Sequence, residues 1–296
     1  MTNVVIIGVT GRMGRALVRA ASEFSEVTIT GAVASTTSAS LGQDAGELAG
    51  IGRIDVRVTD DLAAALARAE AVIDFSQPHA TRSNLTVCRA ARKPLLIGTT
   101  GYPPELTSLF DAAASEIPLL VAPNTSIGVT LLIELTRMAA KALPVDFDIE
   151  IVEAHHRMKK DAPSGTALAL GKAAAEGRGL PEGAVAKAAG VVQAAVGGSA
   201  NAGSAVSGTA ACVNAAHSRS GERARGDLGF AVIRGGDIVG EHTVLFAGTG
   251  EQVSLGHRAT DRAIFARGAL QASLWLASRL PGRFFMRDFL GLKTGA

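Results

Sequence analysis

Residues Asn3–Glu23 read NVVIIGVTGRMGRALVRAASE, and the reading of this stretch decides the fold. It opens with a run of mostly β-branched residues and breaks at a glycine-rich turn. It resumes with Met13, Leu17, Val18 and Ala21 at helical spacing. That is strand, turn and helix. Gly8, Gly11 and Gly14 stand in the pattern G-x-x-G-x-x-G between them. Glycines there let a backbone approach a pyrophosphate, and the helix start offers unpaired N–H groups and a positive dipole end.

Working outward, the alternation repeats. VTITGAVAS (Val27–Ser35) reads as a second strand, and DLAAALARAEAVIDFSQP (Asp61–Pro78) as a helix and a strand that ends at Asp74 to Ser76. Further strands are expected at Pro94 to Gly98 and Pro118 to Ala122, each preceded by a helical pattern. Continuous apolar strands alternating with helices predict a parallel sheet covered on both faces. The pattern changes at Asp148, where DIEIVEAHH alternates by twos as a sheet with one wet face would. A helix ended by glycine follows Thr166. Residues 182–211, rich in Ala, Gly, Val and Ser, carry no clean period and are expected to be a flexible insertion. Three β-rich runs between Asp227 and Ala259, split by RGGD and AGTGE, predict a meander. DRAIFARGALQASLWLASRL (Asp261–Leu280) predicts an amphipathic helix.

The 296 residues carry a net charge of +2, too weak to argue for nucleic acid or a membrane surface. No apolar run approaches the ~20 residues of a membrane span. The start lacks the basic leader and cleavage pattern of a secretory signal, so a soluble cytoplasmic protein is expected. Cys88 and Cys212 have no metal-like spacing, and no metal is expected.

The dinucleotide reading calls for an acid about 20 residues past the glycines, to hold the ribose diol of NAD. Here the chain has GAVASTTSAS (Gly31–Ser40), with Ser35 and Thr36 and no acid. Hydroxyls tolerate a 2′-phosphate, and Arg12 is placed to pair with one. This tilts toward NADPH or dual use. The turns Ile97–Gly101 (IGTTG) and Ala122–Ser126 (APNTS) follow strands, where ligands of open parallel sheets bind.

The densest chemistry lies in EAHHRMKKDAPSGTA, Glu153–Ala167. On a helical turn His155 and Lys159 would lie side by side. Ser164 or Asp161 is expected to cap the next helix, with Gly165 and Thr166 offering backbone N–H groups to an anion. Imidazole, ammonium and a helix start together suit a dicarboxylate substrate and a proton donor.

The sequence resembles the 4-hydroxy-tetrahydrodipicolinate reductase (dihydrodipicolinate reductase) family. The pattern E-x-H-H-x-x-K-x-D-x-P-S-G-T-A matches Glu153–Ala167, and G-x-x-G-R-M-G matches Gly8–Gly14. DAGELAG, IDFS, IGTTG, GDIVGEHTVLF and RAIFARGAL are also similar to family segments. The resemblance implies an α/β fold: an N-terminal Rossmann-like parallel sheet domain plus a smaller α+β substrate and tetramerisation domain with a mixed sheet. It implies a dinucleotide-binding domain of residues 1–126 and 262–296 and a substrate-binding and oligomerisation domain of residues 127–261, in a homotetramer. It implies NAD(P)H-dependent reduction giving tetrahydrodipicolinate in lysine and diaminopimelate biosynthesis. His155 would be the general acid/base and Lys159 the proton donor. His156, Lys160, Ser164, Gly165 and Thr166 would hold the substrate. Gly8, Val9, Thr10, Gly11, Arg12, Met13, Ser35, Thr36, Gly98, Thr99, Thr100, Ala122, Pro123, Asn124, Thr125, Arg262 and Phe265 would line NADPH or NADH. Thr125 departs from the family, which usually has an aromatic after the asparagine. The alternatives are a nicotinamide-dependent dehydrogenase of another small carboxylate and a non-catalytic NAD(P)H sensor.

Overall fold

The computed structural model describes residues 1–181, 183–197 and 225–292. In chain order the elements are β1 (Thr2–Ile7), α1 (Arg12–Ala21), β2 (Val27–Val33), α2 (Ala45–Ala49), β3 (Val58–Thr59), α3 (Leu62–Ala65) and β4 (Ala71–Asp74). There follow α4 (Thr81–Ala90), β5 (Leu95–Ile97), α5 (Leu106–Ala114), β6 (Pro118–Val121), α6 (Ile127–Ala142) and β7 (Asp148–His155). Then come α7 (Gly165–Arg178), α8 (Ala184–Gly197), β8 (Leu228–Arg234), β9 (Gly240–Gly248) and β10 (Glu251–Ala259). The last are α9 (Ala263–Ala277), β11 (Gly282–Phe284) and α10 (Met286–Phe289). They form two compact units, Met1–Thr130 with Arg262–Ala296, and Leu131–Asp261.

The first unit is a seven-stranded sheet in the order β11-β6-β5-β4-β1-β2-β3, and every pairing in it is parallel. Side chains alternate across it, as the pleat requires. Val4, Ile6, Ile73, Leu96 and Leu120 face one way, against Leu17 and Val18 of α1 and Ala266, Ala269 and Leu270 of α9. Val5, Ile7, Val72, Leu95, Leu119 and Val121 face the other way, against Leu85 of α4 and Phe110 of α5. Strands buried on both faces explain the near-continuous apolar runs of the sequence. The order reverses between β1 and β4, so their carboxyl ends open a crevice at the switch point. Asp44, in the DAGELAG segment, serves the scaffold. Its Oδ1 accepts from the N–H groups of Gly46, Glu47 and Ile54 and its Oδ2 from that of Val56. Burial opposes ionisation, but these donors outweigh it and hold the carboxyl below its usual range.

The second unit is a four-stranded mixed sheet in the order β10-β9-β7-β8. It corrects the expected meander. β9 and β10 do form a hairpin, but β7 lies between β8 and β9, parallel to the first and antiparallel to the second. Ile149, Ile151, Phe230, Val232, Val244 and Phe246 face α7 and α8 through Ala167, Leu170, Ala188 and Ala189. Within residues 182–211, expected to be a flexible insertion, Ala184–Gly197 is helical. Six of its 14 residues are alanine, the strongest helix former, and the sheet buries Ala188 and Ala189. Residues 198–211 lie outside the described residues.

Candidate active site

In the first unit the expected cofactor residues fall at strand ends. Gly8 to Met13 join β1 to α1, Ser35 and Thr36 follow β2, Gly98 to Thr100 follow β5, and Ala122 to Thr125 follow β6. Arg262 is the N-cap of α9, and Phe265 lies in its first turn. Gly8 has φ +82°, and a Cβ there would come within 2.5 Å of the Phe75 carbonyl oxygen. At Gly14 a Cβ would lie 2.3 Å from the Gly8 carbonyl oxygen, and at Gly98 it would strike the Phe75 ring. Glycine is therefore required for β1, α1 and the turns after β4 and β5 to close on one another. No side chain caps α1 at Gly11, so the first N–H groups of that helix, which have no intrahelical partners, are left without a side-chain acceptor there. These residues fit a dinucleotide pyrophosphate.

Four of the expected cofactor residues turn their side chains inward. Val9 and Ala122 belong to the core. Thr99 is buried, its hydroxyl directed at the carbonyl oxygens of Asp74 and Ser76. Thr125 is buried and donates to the Phe265 carbonyl at 2.7 Å. These positions can meet a ligand only through backbone. The wall beside them is stiffened by Asp74. It is fully buried at the end of β4, accepts from the Ser76 N–H and the Asn84 amide, and has its carboxyl pushed upward by burial.

In the second unit the motif folds as strand end, turn and helix start. His155 closes β7, and Ser164 is the N-cap of α7, where its hydroxyl accepts from the Ala167 N–H. Gly165 and Thr166 form the first turn of that helix, at the positive end of its dipole. Because His155 ends a strand, the side-by-side helical geometry expected for His155 and Lys159 does not form. The Lys159 ammonium is instead held by both oxygens of Asp161, each at 2.8 Å. Lys160 is exposed and His156 partly exposed on the same turn.

Three further residues complete the cluster. Glu153 is fully buried. Its Oε2 meets His155 Nδ1 at 2.5 Å, and Arg234, at the end of β8, grips both carboxylate oxygens at 2.7 and 2.9 Å. The Ser164 N–H donates to Oε1 at 2.9 Å. Burial works against ionisation of this carboxyl, but the hydrogen bonds from His155 and Arg234 prevail and bring it down to about 2. His242 on β9 is buried, with Nε2 2.9 Å from the Ser164 hydroxyl and its ring edge-on to His155 at 5.1 Å. Burial first, then His155, push it down to about 4. The sequence signal for Glu153 was an acid on the inward phase of β7. Arg234 and His242 carried none, since only the sheet pairing brings them near.

Among the described residues no helix is long and apolar enough to cross a membrane. Among them also, no group of three or more His, Cys, Asp or Glu is placed to hold a metal ion.

Known proteins resemble the chain over its whole length. The family model for the dihydrodipicolinate reductase N-terminus matches residues 2–125, and that for its C-terminus residues 128–290. A 4-hydroxy-tetrahydrodipicolinate reductase of Alkalilimnicola ehrlichii is 48% identical over 98% of this chain and 99% of that one. One of Hahella chejuensis is 42% identical over 99% and 100%. Among solved structures, a dipicolinate-bound dihydrodipicolinate reductase from Paenisporosarcina sp. TG-14 superimposes with a TM-score of 0.71 at 22% identity. That match covers 97% of this chain and 98% of the other, and it speaks for the fold.

Proposed function

This chain belongs to the dihydrodipicolinate reductase family, and on that premise we propose the following reading of its chemistry. It is an oxidoreductase of lysine and diaminopimelate biosynthesis, a 4-hydroxy-tetrahydrodipicolinate reductase that uses a nicotinamide cofactor. The observation that carries the reading is the cluster at the end of β7, where a carboxylate-bound histidine, a lysine and a helix start converge.

The residues then take these roles. The first turn of α7, at Gly165 and Thr166, with Ser164, His156 and Lys160, holds the substrate carboxylates. Gly8 to Met13, Gly98 to Thr100, Ala122 to Thr125, Arg262 and Phe265 form the cofactor crevice, with Val9, Thr99, Ala122 and Thr125 acting through backbone. When bound, the reduced nicotinamide supplies a hydride to the ring after it has lost water. Lys159, released from Asp161 as a substrate carboxylate takes over its charge, gives a proton to the enamine carbon that accumulates negative charge. His155 serves as the general acid/base of the same cluster. The enzyme takes NADPH at least as readily as NADH, because Ser35 and Thr36 present hydroxyls where a carboxylate would repel a 2′-phosphate. Assembly as a homotetramer in the cytoplasm is part of the same proposal and rests on the family likeness.

The test is a coupled assay. Pyruvate and aspartate semialdehyde are condensed by a dihydrodipicolinate synthase, and loss of reduced-nicotinamide absorbance is followed with NADH and NADPH in parallel. Oxidation dependent on this protein is expected with both. Binding of both cofactors without oxidation would leave a non-catalytic sensor or a dehydrogenase of another carboxylate.

A further inference from the structure

Glu153 has no part in the roles above, yet its buried carboxylate accepts from Ser164 and Arg234 and meets His155. Resting on the reading in which His155 handles a proton, we propose that Glu153 is a positioning residue that fixes the proton of His155 on Nδ1. The proton exchanged with substrate then passes through Nε2.

The argument is one of valence. Both Glu153 oxygens are occupied by donors, Oε1 by the Ser164 N–H and Arg234, and Oε2 by Arg234 and His155. A carboxylate held ionised offers only acceptors. Nδ1 must therefore be the donor of the 2.5 Å contact whether the ring is charged or neutral. Isolated histidines carry no such constraint, and the identity of the reacting nitrogen is set by what the other one bonds. The free nitrogen has room by design of the next strand. Gly240 lies beside Nε2, where a Cβ would come to 3.1 Å.

The same carboxylate joins a closed ring of contacts. Glu153 bonds His155, His155 packs edge-on against His242, His242 bonds the Ser164 hydroxyl, and the Ser164 N–H returns to Glu153. The ring ties β7, β9 and the start of α7 together, so the orientation of the imidazole and the placement of the substrate-holding turn are set by one group. The charged and titratable groups around His155 are Glu153 on its own strand, Arg234 from β8, His242 from β9 with His257 paired behind it on β10, and Lys159 with Asp161 on the following turn. Among these, Glu153 supplies the anion in direct contact with the ring.

The first measurement uses the unmodified protein. Histidine is labelled with 15N, and the His155 signals are assigned against a His155→Asn variant. The chain has six histidines, few enough to resolve. In the neutral ring the proton is expected on Nδ1, and a proton on Nε2 would overturn the proposal. The second uses Glu153→Gln in the coupled assay. We expect kcat to fall about 10- to 100-fold, less than the loss of a general acid itself, with substrate KM changed less than threefold. The alkaline limb of the kcat profile should move to lower pH, because the imidazolium has lost its counter-charge. A reduced kcat with the limb unmoved would mean that Glu153 serves the fold alone. Should Glu153→Gln fail to fold, the tautomer decides. Because the tautomer is read without turnover, a failure of the reductase reading and a failure of this proposal give different results.

Discussion

At the scale of single residues the proposed chemistry divides between His155 and Lys159, assigned to handle protons, and the groups that hold them, Glu153 and Asp161. A positioned general acid is commonly worth ~100- to 10,000-fold in rate. His155→Ala and Lys159→Ala are each expected to lose kcat in that range while the dissociation constant for NADPH, read by fluorescence titration, stays within about threefold. An equal loss of cofactor affinity would contradict the assignment. Ser35, one of the two hydroxyls after β2 assigned to the cofactor, makes a separate prediction. Ser35 and Thr37 bond each other at 2.7 Å, and Ser35→Asp places a carboxylate where a 2′-phosphate would lie. The ratio of kcat/KM for NADPH over NADH should fall at least about tenfold, ~1.4 kcal/mol or more. Much of this scale was legible. The spacing from Glu153 to Thr166 located the cluster because its members are close in sequence. The partners of Glu153 were hidden, since Arg234 and His242 lie some 80 positions away and become neighbours only through strand pairing.

At the scale of elements, helix starts and strand-to-helix turns do the positioning. Ser164 both caps α7 and bonds His242. Ser164→Ala should cost about 1 kcal/mol for the lost cap and a further ~1–3 kcal/mol for the buried imidazole nitrogen left without its partner. A denaturant midpoint shift with unchanged slope would measure it. Gly14→Ala should fare worse, since its Cβ would enter the backbone of Gly8 and Val9, and cofactor affinity should fall with stability. The strand and helix around these glycines were readable because each is amphipathic or apolar at its own period. The place of β7 between β8 and β9 was not, because strand order is a property of pairing and leaves no local trace. α8 is hard to read in the sequence for another reason. Its low charge and small side chains gave no periodic signal, although alanine favours the helix on its own.

For the whole molecule, the second unit stores a pH dependence. His242 has an ordinary value of 6.5 and is held at about 4 in the fold by burial, then by His155. A base with a depressed value stabilises the fold in its neutral form. That contribution is complete above pH 6.5 and is lost as the pH falls toward 4, on the order of 3 kcal/mol. Glu153, lowered from 4.5 to about 2, holds its share above pH 4.5 and surrenders it between 4.5 and 2. Acid unfolding should therefore steepen first between pH 6.5 and 4. His242→Asn should flatten that upper part of a plot of unfolding free energy against pH while leaving the lower part in place. The division of the first unit has a consequence for synthesis. Its sheet needs Ala266, Ala269, Leu270 and Leu276 of α9 to cover one face and β11 to finish one edge, and both are translated after the whole second unit. On the ribosome, the face formed by Val4, Ile6, Ile73 and Leu96 must wait with only α1 against it, and without α9, until more than a hundred further residues have emerged. A nascent chain stopped at Asp261 should thus hold a protease-resistant second unit beside an open, chaperone-seeking first one, reversing the order in which the two begin.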